Sequence, residues 1–132
     1  MEVRELFKWK NPEIRALHLT WIAFFISFYV WFNMAPLATT ILKNNAWLTA
    51  KDLKIIAICN VALTIPARLI TGMALDKYGP RRVFSILMVI CGIPALFFAF
   101  GNTLSQLLVS RLVLSSIGAS FVVGIHMTAL WF

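Results

Sequence analysis

The run from Ile55 to Leu75 is long and apolar, and it carries a single formal charge, on Arg68. A helix rises about 1.5 Å per residue, so this run can cross the roughly 30 Å hydrocarbon core of a membrane. Arg68 precedes Asp76 by eight residues, which places it about 12 Å from the end of the run, near mid-membrane. A charge at that depth costs several kcal/mol unless it faces water, a partner or a ligand, so Arg68 is predicted to be functional.

The composition places the whole chain in the membrane. Hydrophobic residues make up 61% of the 132 residues and charged residues 13%, and a soluble domain of this size could not bury so much apolar surface. Cys59 and Cys91 lie inside apolar runs, which argues against a disulfide framework or a metal site. The sequence has no Ser/His/Asp or phosphate-binding constellation, so it indicates neither an enzyme nor a cofactor.

Hydropathy predicts an N-terminal segment, residues 1–17, followed by four membrane-spanning helices. Their approximate limits are residues 18–37, 53–75, 83–100 and 104–130. Thr49 and Asp52 have capping-box spacing before the second span, and Thr103 and Gln106 repeat that spacing before the fourth. The sequence therefore predicts an all-α membrane protein.

Basic residues are divided unevenly between the two sides of the predicted membrane. One side has Arg4, Lys8, Lys10, Arg15, Lys77, Arg81 and Arg82, and the other has Lys43, Lys51 and Lys54. Cytoplasmic loops are enriched in Lys and Arg, so the N-terminus and the second connection are predicted to be cytoplasmic. The net charge of +7 comes from these short loops, which fits topology control better than nucleic-acid binding.

The second connection contains the strongest linear motif, Gly-Met-Ala-Leu-Asp-Lys-Tyr-Gly-Pro-Arg-Arg. Its marked positions are Gly72, Asp76, Lys77, Gly79, Arg81 and Arg82. The motif resembles the signature loop of the major facilitator superfamily, Gly-x-x-x-Asp-(Arg/Lys)-x-Gly followed by basic residues. The resemblance implies a loop that latches one conformation of an alternating-access cycle, with Gly72 at a close helix approach and Asp76 in an ion pair. Pro80 replaces the usual basic residue, so Arg81 or Arg82 would make that contact. An ordinary positive-inside loop is the alternative.

Arg111 on the fourth span is similar to a second motif of that superfamily, in which a glycine follows the arginine four residues later. Here that position is Ser115 and the glycine comes at Gly118, so the match is partial. The alternative is an arginine that extends to the membrane surface. Small residues also recur on this span and predict a face for close helix packing. They are Ser116, Ser120, Gly124 and Thr128.

The second span has a polar stripe, because Asn60, Thr64, Arg68 and Thr71 share one helical face. A polar face towards lipid would be costly, so this stripe is predicted to line the bundle interior or a pathway. Pro66 is expected to interrupt the helix and to free local backbone groups for water or ligand.

The stretch from Pro66 to Arg82 and the first-span residues from His18 onwards resemble a narrower group, the nitrate/nitrite porter family. The resemblance implies that Arg68 binds the substrate anion, and its planar fork of donors suits a planar oxoanion. It also implies that first-span aromatics contribute to the pocket, with Phe28 and Phe32 as the equivalents here. Core or lipid contact is the alternative role of those rings. Asn60 and Thr64 complete the predicted substrate-binding set.

Carriers of this family have twelve spans in two halves, so the resemblance implies the N-terminal part of a major facilitator bundle. The leading interpretation is a partial nitrate/nitrite carrier of the inner or plasma membrane, incapable of transport alone. The alternatives are a carrier for another small anion, or a non-transporting membrane protein that associates with a carrier or with itself. A small drug exporter is disfavoured, because no acidic residue lies in a span core. The expected partners are a small anion, the bilayer, and either the remaining carrier helices or another membrane protein.

Overall fold

The computed structural model describes residues 9–131, so residues 1–8 of the predicted N-terminal segment and Phe132 lie outside the described range. The described chain is helical. Its elements are α1 (Pro12–Phe32), α2 (Met34–Asn44), α3 (Ala50–Ala62), α4 (Thr64–Tyr78), α5 (Pro80–Ala99), α6 (Leu104–Leu114), a 3₁₀ helix (Ser115–Ala119) and α7 (Ser120–Trp131).

Four helical stretches within residues 9–131 are long and apolar enough to cross a membrane. They are the first span, Pro12–Asn44; the second, Ala50–Tyr78; the third, Pro80–Ala99; and the fourth, Leu104–Leu130. This result confirms the all-α fold class and the four predicted spans. Half of the most apolar stretch of the fourth span is buried, against 17–22% in the other three, so the fourth span forms the centre of the bundle.

The helical stretch of the first span extends beyond the predicted membrane-spanning residues 18–37 at both ends. Its helix begins at Pro12. Proline is suited to the first helical position because the N–H group that it lacks would have no partner within the helix there. The first span was expected to end near Leu37, but α2 continues to Asn44. Pro36 does not end the helix, because it lies in the first turn of α2, where backbone N–H groups have no helical partner.

Both predicted helix-start signals are found, one complete and one partial. Thr49 Oγ1 accepts a hydrogen bond from the Asp52 N–H at 3.2 Å, and Asp52 Oδ2 accepts from the Thr49 N–H at 2.9 Å. At the fourth span, Thr103 Oγ1 accepts from the Gln106 N–H at 3.4 Å. The return bond differs, because Gln106 Oε1 accepts from the Asn102 N–H instead of that of Thr103.

The second and third spans join at a single residue, Gly79. Its φ of 78° and ψ of 156° lie in a region that is open essentially to glycine alone. Pro80 then occupies the first position of α5. The predicted sharp turn at Gly79 and Pro80 is therefore confirmed, and Gly79 is required by its backbone conformation.

Two clusters of buried apolar side chains hold the spans together. The smaller consists of Met34, Leu48, Leu53, Ile56 and Leu107. The larger consists of Trp31, Leu75, Val83, Phe84, Leu87, Cys91, Leu114, Ile117, Ala119 and Val123. The cysteines are free, and Cys91 is fully buried in the larger cluster. Its role there is apolar packing, as the sequence suggested.

Candidate functional site

Three of the four spans depart from regular α-helical geometry at positions where they contact one another. The first span breaks between α1 and α2 at Asn33, and the second breaks between α3 and α4 at Leu63. The fourth changes from α6 to the 3₁₀ helix at Ser115. The side chains of Trp31, Asn33, Asn60 and Arg111 connect these breaks, and we call these four residues the polar junction.

Arg111 is the centre of the polar junction and only 1% of its surface is exposed. Nη2 donates to Asn33 Oδ1 at 2.8 Å, and Nη1 donates to Asn60 Oδ1 at 3.3 Å. The guanidinium carbon lies 3.9 Å from the centroid of the Phe98 ring, a cation–π contact. The alternative of an arginine extending to the surface is therefore wrong, because these contacts hold the side chain inside the bundle. Nε is buried and has no partner within residues 9–131.

Asn60 uses its backbone and its side chain to connect the first span to the fourth. Its side-chain Nδ2 donates to the backbone oxygen of Trp31 at 3.0 Å, while Trp31 Nε1 donates to the backbone oxygen of Asn60 at 2.8 Å. Since Asn60 Oδ1 accepts from Arg111, each polar group of the amide has a protein partner. The predicted polar stripe thus faces the bundle interior here. Direct contact between Asn60 and an anion stays a prediction.

The break in the second span follows from Pro66. Proline lacks the N–H that would bond to the carbonyl of Ala62, and its ring clashes with that carbonyl, so α3 ends at Ala62. The expected interruption is confirmed, and two groups beside the break have partners on the fourth span. The Leu63 N–H donates to Ser115 Oγ at 3.0 Å, and Thr64 Oγ1 donates to the Ser115 carbonyl at 3.1 Å. The hydroxyl of Thr64 therefore also has a protein partner.

Gly118 allows the second span to approach the 3₁₀ helix closely. A Cβ atom at this position would lie 2.7 Å from Cγ2 of Thr64 and 2.9 Å from Cη2 of Trp31. No side chain fits there without displacing one of them. The fourth-span glycine therefore lies at Gly118 because the close contact is made there, whereas Ser115 bonds to the break in the second span.

Arg68 lies on the exposed surface of α4, next to the fourth span. Its Nε donates to the carbonyl oxygen of Gly118 at 3.3 Å, and its guanidinium carbon lies 5.8 Å from the centroid of the Phe121 ring. Within residues 9–131 no carboxylate pairs with it, because the acidic residues there are Glu13, Asp52 and Asp76, near helix ends. A cation in the middle of a span thus remains available to a ligand.

The predicted pocket aromatics have different environments. Phe28 is half-buried and its ring centroid lies 5.6 Å from that of Trp31 and 5.7 Å from that of Phe32. Phe32 is 52% exposed. The ring beside Arg68 is instead Phe121, which was not predicted as a pocket residue. Only the packing of α4 against the fourth span could identify it.

An open apolar groove of about 480 Å³ is lined by α1 and α7 and has Phe121 in its wall. Gly124 and Thr128 of the predicted small-residue face also line this groove. A Cβ at Gly124 would meet Phe24 at 3.5 Å, an ordinary contact distance. Gly124 therefore packs near Phe24 without requiring a glycine, and the tight approach of the fourth span lies at Gly118.

The signature loop makes few contacts within the described residues. Nothing lies within 4 Å of a Cβ built at Gly72, so these four spans do not make the expected close approach there. Asp76 forms no ion pair within residues 9–131, and Arg81 and Arg82 are exposed. The Nζ atom of Lys77 lies 5.3 Å from the centroid of the adjacent tyrosine ring. A latch role for this loop therefore stays a prediction. No group of His, Cys, Asp and Glu in the described part of the chain could hold a metal ion.

Comparison with known proteins finds relatives that are named as nitrate or nitrite transporters. The nitrate/nitrite transporter NrtP of Picosynechococcus sp. is 50% identical over 122 residues, which are 92% of this chain and 23% of that protein. NrtP of Nostoc punctiforme is 48% identical over 130 residues, 98% of this chain and 26% of that protein. The probable nitrate/nitrite antiporter NarK1 of Thermus thermophilus is 30% identical over 135 residues, 97% of this chain and 29% of that protein. No solved structure matches the chain.

The chain thus spans about a quarter of the length of these relatives. The model of the Major Facilitator Superfamily matches residues 20–132, a range that includes both intramembrane arginines and the signature loop. Four apolar spans with an all-helical fold agree with that match. The chain therefore belongs to the major facilitator superfamily.

Proposed function

We propose that this chain is the N-terminal part of a nitrate/nitrite transporter that moves its anion across the inner or plasma membrane by alternating access. Two relatives that are 48% and 50% identical along nearly the whole chain are named as nitrate/nitrite transporters, which supports the substrate class. The distribution of basic residues supports a cytoplasmic N-terminus and a cytoplasmic signature loop.

Arg68 is the observation that carries the proposal. The structure contains two intramembrane arginines, and they differ in what surrounds them. Arg111 is buried and bonded to two asparagines, so its role is to hold the polar junction together. Arg68 is exposed and has one hydrogen bond, to a neutral carbonyl. A bound anion would neutralise it, and this gain would offset the cost of placing a charge in the membrane.

The chemistry of the guanidinium favours small planar oxoanions. Arginine stays charged at every physiological pH and presents parallel N–H donors that match two oxygens of nitrate, nitrite or a carboxylate. Phe28 and Phe32 are proposed to form an apolar wall of the same pocket. A carrier for another small planar anion remains the second candidate, since it would use the same cation. Competition of nitrate uptake by nitrite and by formate separates these substrates.

The test is nitrate uptake by the intact carrier in proteoliposomes, with Arg68→Lys as the variant. Lysine keeps the charge but loses the fork, so we expect uptake to be abolished. The matched control is Arg15→Lys, which makes the same exchange at an exposed arginine near the start of α1. Unchanged uptake by Arg68→Lys would contradict an anion-binding role for this residue.

A non-transporting membrane partner is separated from a carrier by the size of the native gene product, detected through its N-terminal segment. A species several times heavier than 14.9 kDa is expected for a carrier. A species of 14.9 kDa would favour the partner, and the search would then turn to the membrane protein that it binds.

A further inference from the structure

We infer that the 3₁₀ helix of the fourth span positions Arg68 for the anion, with Thr64, Ser115 and Gly118 as the positioning residues. This inference rests on the proposed function and deepens it. Three hydrogen bonds run in series from the start of α4 to the 3₁₀ helix. The Leu63 N–H bonds to Ser115 Oγ at 3.0 Å, Thr64 Oγ1 bonds to the Ser115 carbonyl at 3.1 Å, and Arg68 Nε bonds to the Gly118 carbonyl at 3.3 Å.

The pitch of the 3₁₀ helix matches the spacing of Ser115 and Gly118 to that of Thr64 and Arg68. Thr64 and Arg68 are four residues apart in an α-helix, which corresponds to a rise of about 6 Å and nearly the same face. Ser115 and Gly118 are three residues apart in a 3₁₀ helix, which also rises about 6 Å and returns to the same face. In an α-helix the same three residues would rise only about 4.5 Å and turn about 60° away. The local 3₁₀ conformation therefore places the Gly118 carbonyl opposite Arg68.

The hydrogen bond to Gly118 determines which N–H donors of the Arg68 guanidinium are left to bind an anion. A guanidinium has five N–H donors, and the bond to Gly118 uses the one on Nε. The four donors on Nη1 and Nη2 have no hydrogen-bond partner within residues 9–131. Those two nitrogens form an edge with parallel N–H groups, which can bind two oxygens of one planar anion.

A carbonyl is also a suitable anchor because it is neutral. A carboxylate on the same nitrogen would fix the side chain but would cancel the charge that attracts the anion. The Gly118 carbonyl fixes the orientation and leaves the charge in place. The ring of Phe121, 5.8 Å from the guanidinium carbon, supports the same orientation through its π face.

The side chains beneath this contact are held tightly enough to transmit a displacement. Thr64 is 8% exposed and Ser115 is fully buried. A Cβ at Gly118 would lie 2.7 Å from Cγ2 of Thr64, so the Thr64 side chain packs directly against the backbone of Gly118. Loss of the bond between Thr64 and Ser115 is therefore expected to shift the Gly118 carbonyl relative to Arg68.

The experiment measures KM and kcat for nitrate uptake by the intact carrier with Thr64→Val and with Ser115→Ala. Each variant removes one hydroxyl at nearly constant shape. We expect KM to rise about five- to tenfold, the equivalent of one lost hydrogen bond, with kcat changed by less than about twofold. Thr64→Ser keeps the hydroxyl and is expected to restore KM.

The matched control is Ser27→Ala, which removes a buried hydroxyl that bonds to Ala23 of its own helix at 2.8 Å and to Met88 of α5. We expect its KM to be unchanged. A rise in KM of the same size in the control, an unchanged KM in Thr64→Val and Ser115→Ala, or a fall in kcat alone would overturn the positioning role. If those variants keep their KM while Arg68→Lys abolishes uptake, only this inference fails. If Arg68→Lys takes up nitrate normally, the proposed anion-binding role of Arg68 fails as well.

If Thr64→Val or Ser115→Ala does not accumulate in the membrane, an NMR measurement on the carrier without those substitutions tests the same contact. In carrier labelled with ¹⁵N-arginine, the Nε–H of Arg68 is expected to exchange slowly with water because it is bonded to Gly118. The signal is assigned as the one that disappears in Arg68→Lys. Slow exchange in the unsubstituted carrier supports the anchor, and exchange as fast as that of Arg15 overturns it.

Discussion

Substitution of Gly118 by alanine tests the close approach of the second and fourth spans. The added Cβ would lie 2.7 Å from Cγ2 of Thr64 and 2.9 Å from Cη2 of Trp31. Carbon atoms normally approach to about 3.5–4.0 Å, so each neighbour must move by roughly an ångström. Neither can do so easily, because Thr64 is bonded to the Ser115 carbonyl and the Trp31 indole is bonded to Asn60.

The expected magnitude follows from two opposing contributions. Overpacking of a well-packed core costs about 1–3 kcal/mol, and two contacts below 3 Å place this site in the upper part of that range. Replacing a helical glycine by alanine raises the free energy of unfolding by up to about 1 kcal/mol, since alanine loses less conformational freedom on folding. We therefore expect Gly118→Ala to lower the free energy of unfolding by about 1–2 kcal/mol.

A double-mutant cycle isolates the contact. Thr64→Ser removes Cγ2 and keeps the hydroxyl, so Gly118→Ala should cost at least about 0.5 kcal/mol less in that background. The assay is thermal and denaturant unfolding of the purified protein in detergent, followed by tryptophan fluorescence. The control is Gly92→Ala, since nothing lies within 4 Å of a Cβ at that exposed position. An equal cost in both backgrounds would refute the steric argument.

Three further predictions concern the turn and the polar junction. Gly79→Ala should cost about 1–3 kcal/mol, because φ of 78° with ψ of 156° is strained for any residue with a Cβ. Trp31→Phe should cost about 1–2 kcal/mol, since it keeps an aromatic ring but leaves the buried carbonyl of Asn60 without its donor. Arg111→Lys should cost about 1–3 kcal/mol, because an ammonium cannot span Asn33 and Asn60 as the guanidinium fork does. Unfolding of each purified variant in detergent measures all three.

Each of these variants has a matched control at an exposed position. Gly92→Ala accompanies Gly79→Ala, Trp21→Phe accompanies Trp31→Phe, and Arg82→Lys accompanies Arg111→Lys. Exposed substitutions usually change the free energy of unfolding by less than about 0.5 kcal/mol. A control that loses as much stability as its partner would show that the substitution, and not the described contact, causes the loss.

Features that depend on neighbouring residues in the chain could be predicted from the sequence. The four spans follow from the length of apolar runs, and the capping box of Thr49 and Asp52 follows from spacing alone. The break in the second span follows from Pro66, whose effect reaches only four residues back. In each case the physical cause lies within about one turn of helix.

Features that depend on contacts between distant residues could not be predicted in the same way. The partners of Arg111 are Asn33, Asn60 and Phe98, from the other three spans, so nothing near Arg111 in the sequence distinguishes a buried arginine from one that reaches the surface. The position of Gly118 has the same origin, because only its contacts with Thr64 and Trp31 require a glycine there.

The candidate site depends both on features that are local in the sequence and on contacts between distant residues. The depth of Arg68 and its lack of a nearby acidic residue could be read from the sequence, and its exposure on the bundle agrees with that reading. Three residues of the predicted polar stripe, Asn60, Thr64 and Thr71, are buried as expected, whereas Arg68 of the same stripe is exposed. The polar groups of Asn60 and Thr64 are bonded to the first and fourth spans, a result of the breaks in those spans.

Equilibrium binding of nitrate to the purified, intact carrier tests the central claim most directly. The comparison is between the unsubstituted carrier, Arg68→Lys and the control Arg15→Lys, with thermal unfolding to show that all three are folded. The account predicts saturable binding that is kept in Arg15→Lys and lost in Arg68→Lys. Equal nitrate affinity in all three would contradict it, because the anion would then be held by groups other than the Arg68 guanidinium.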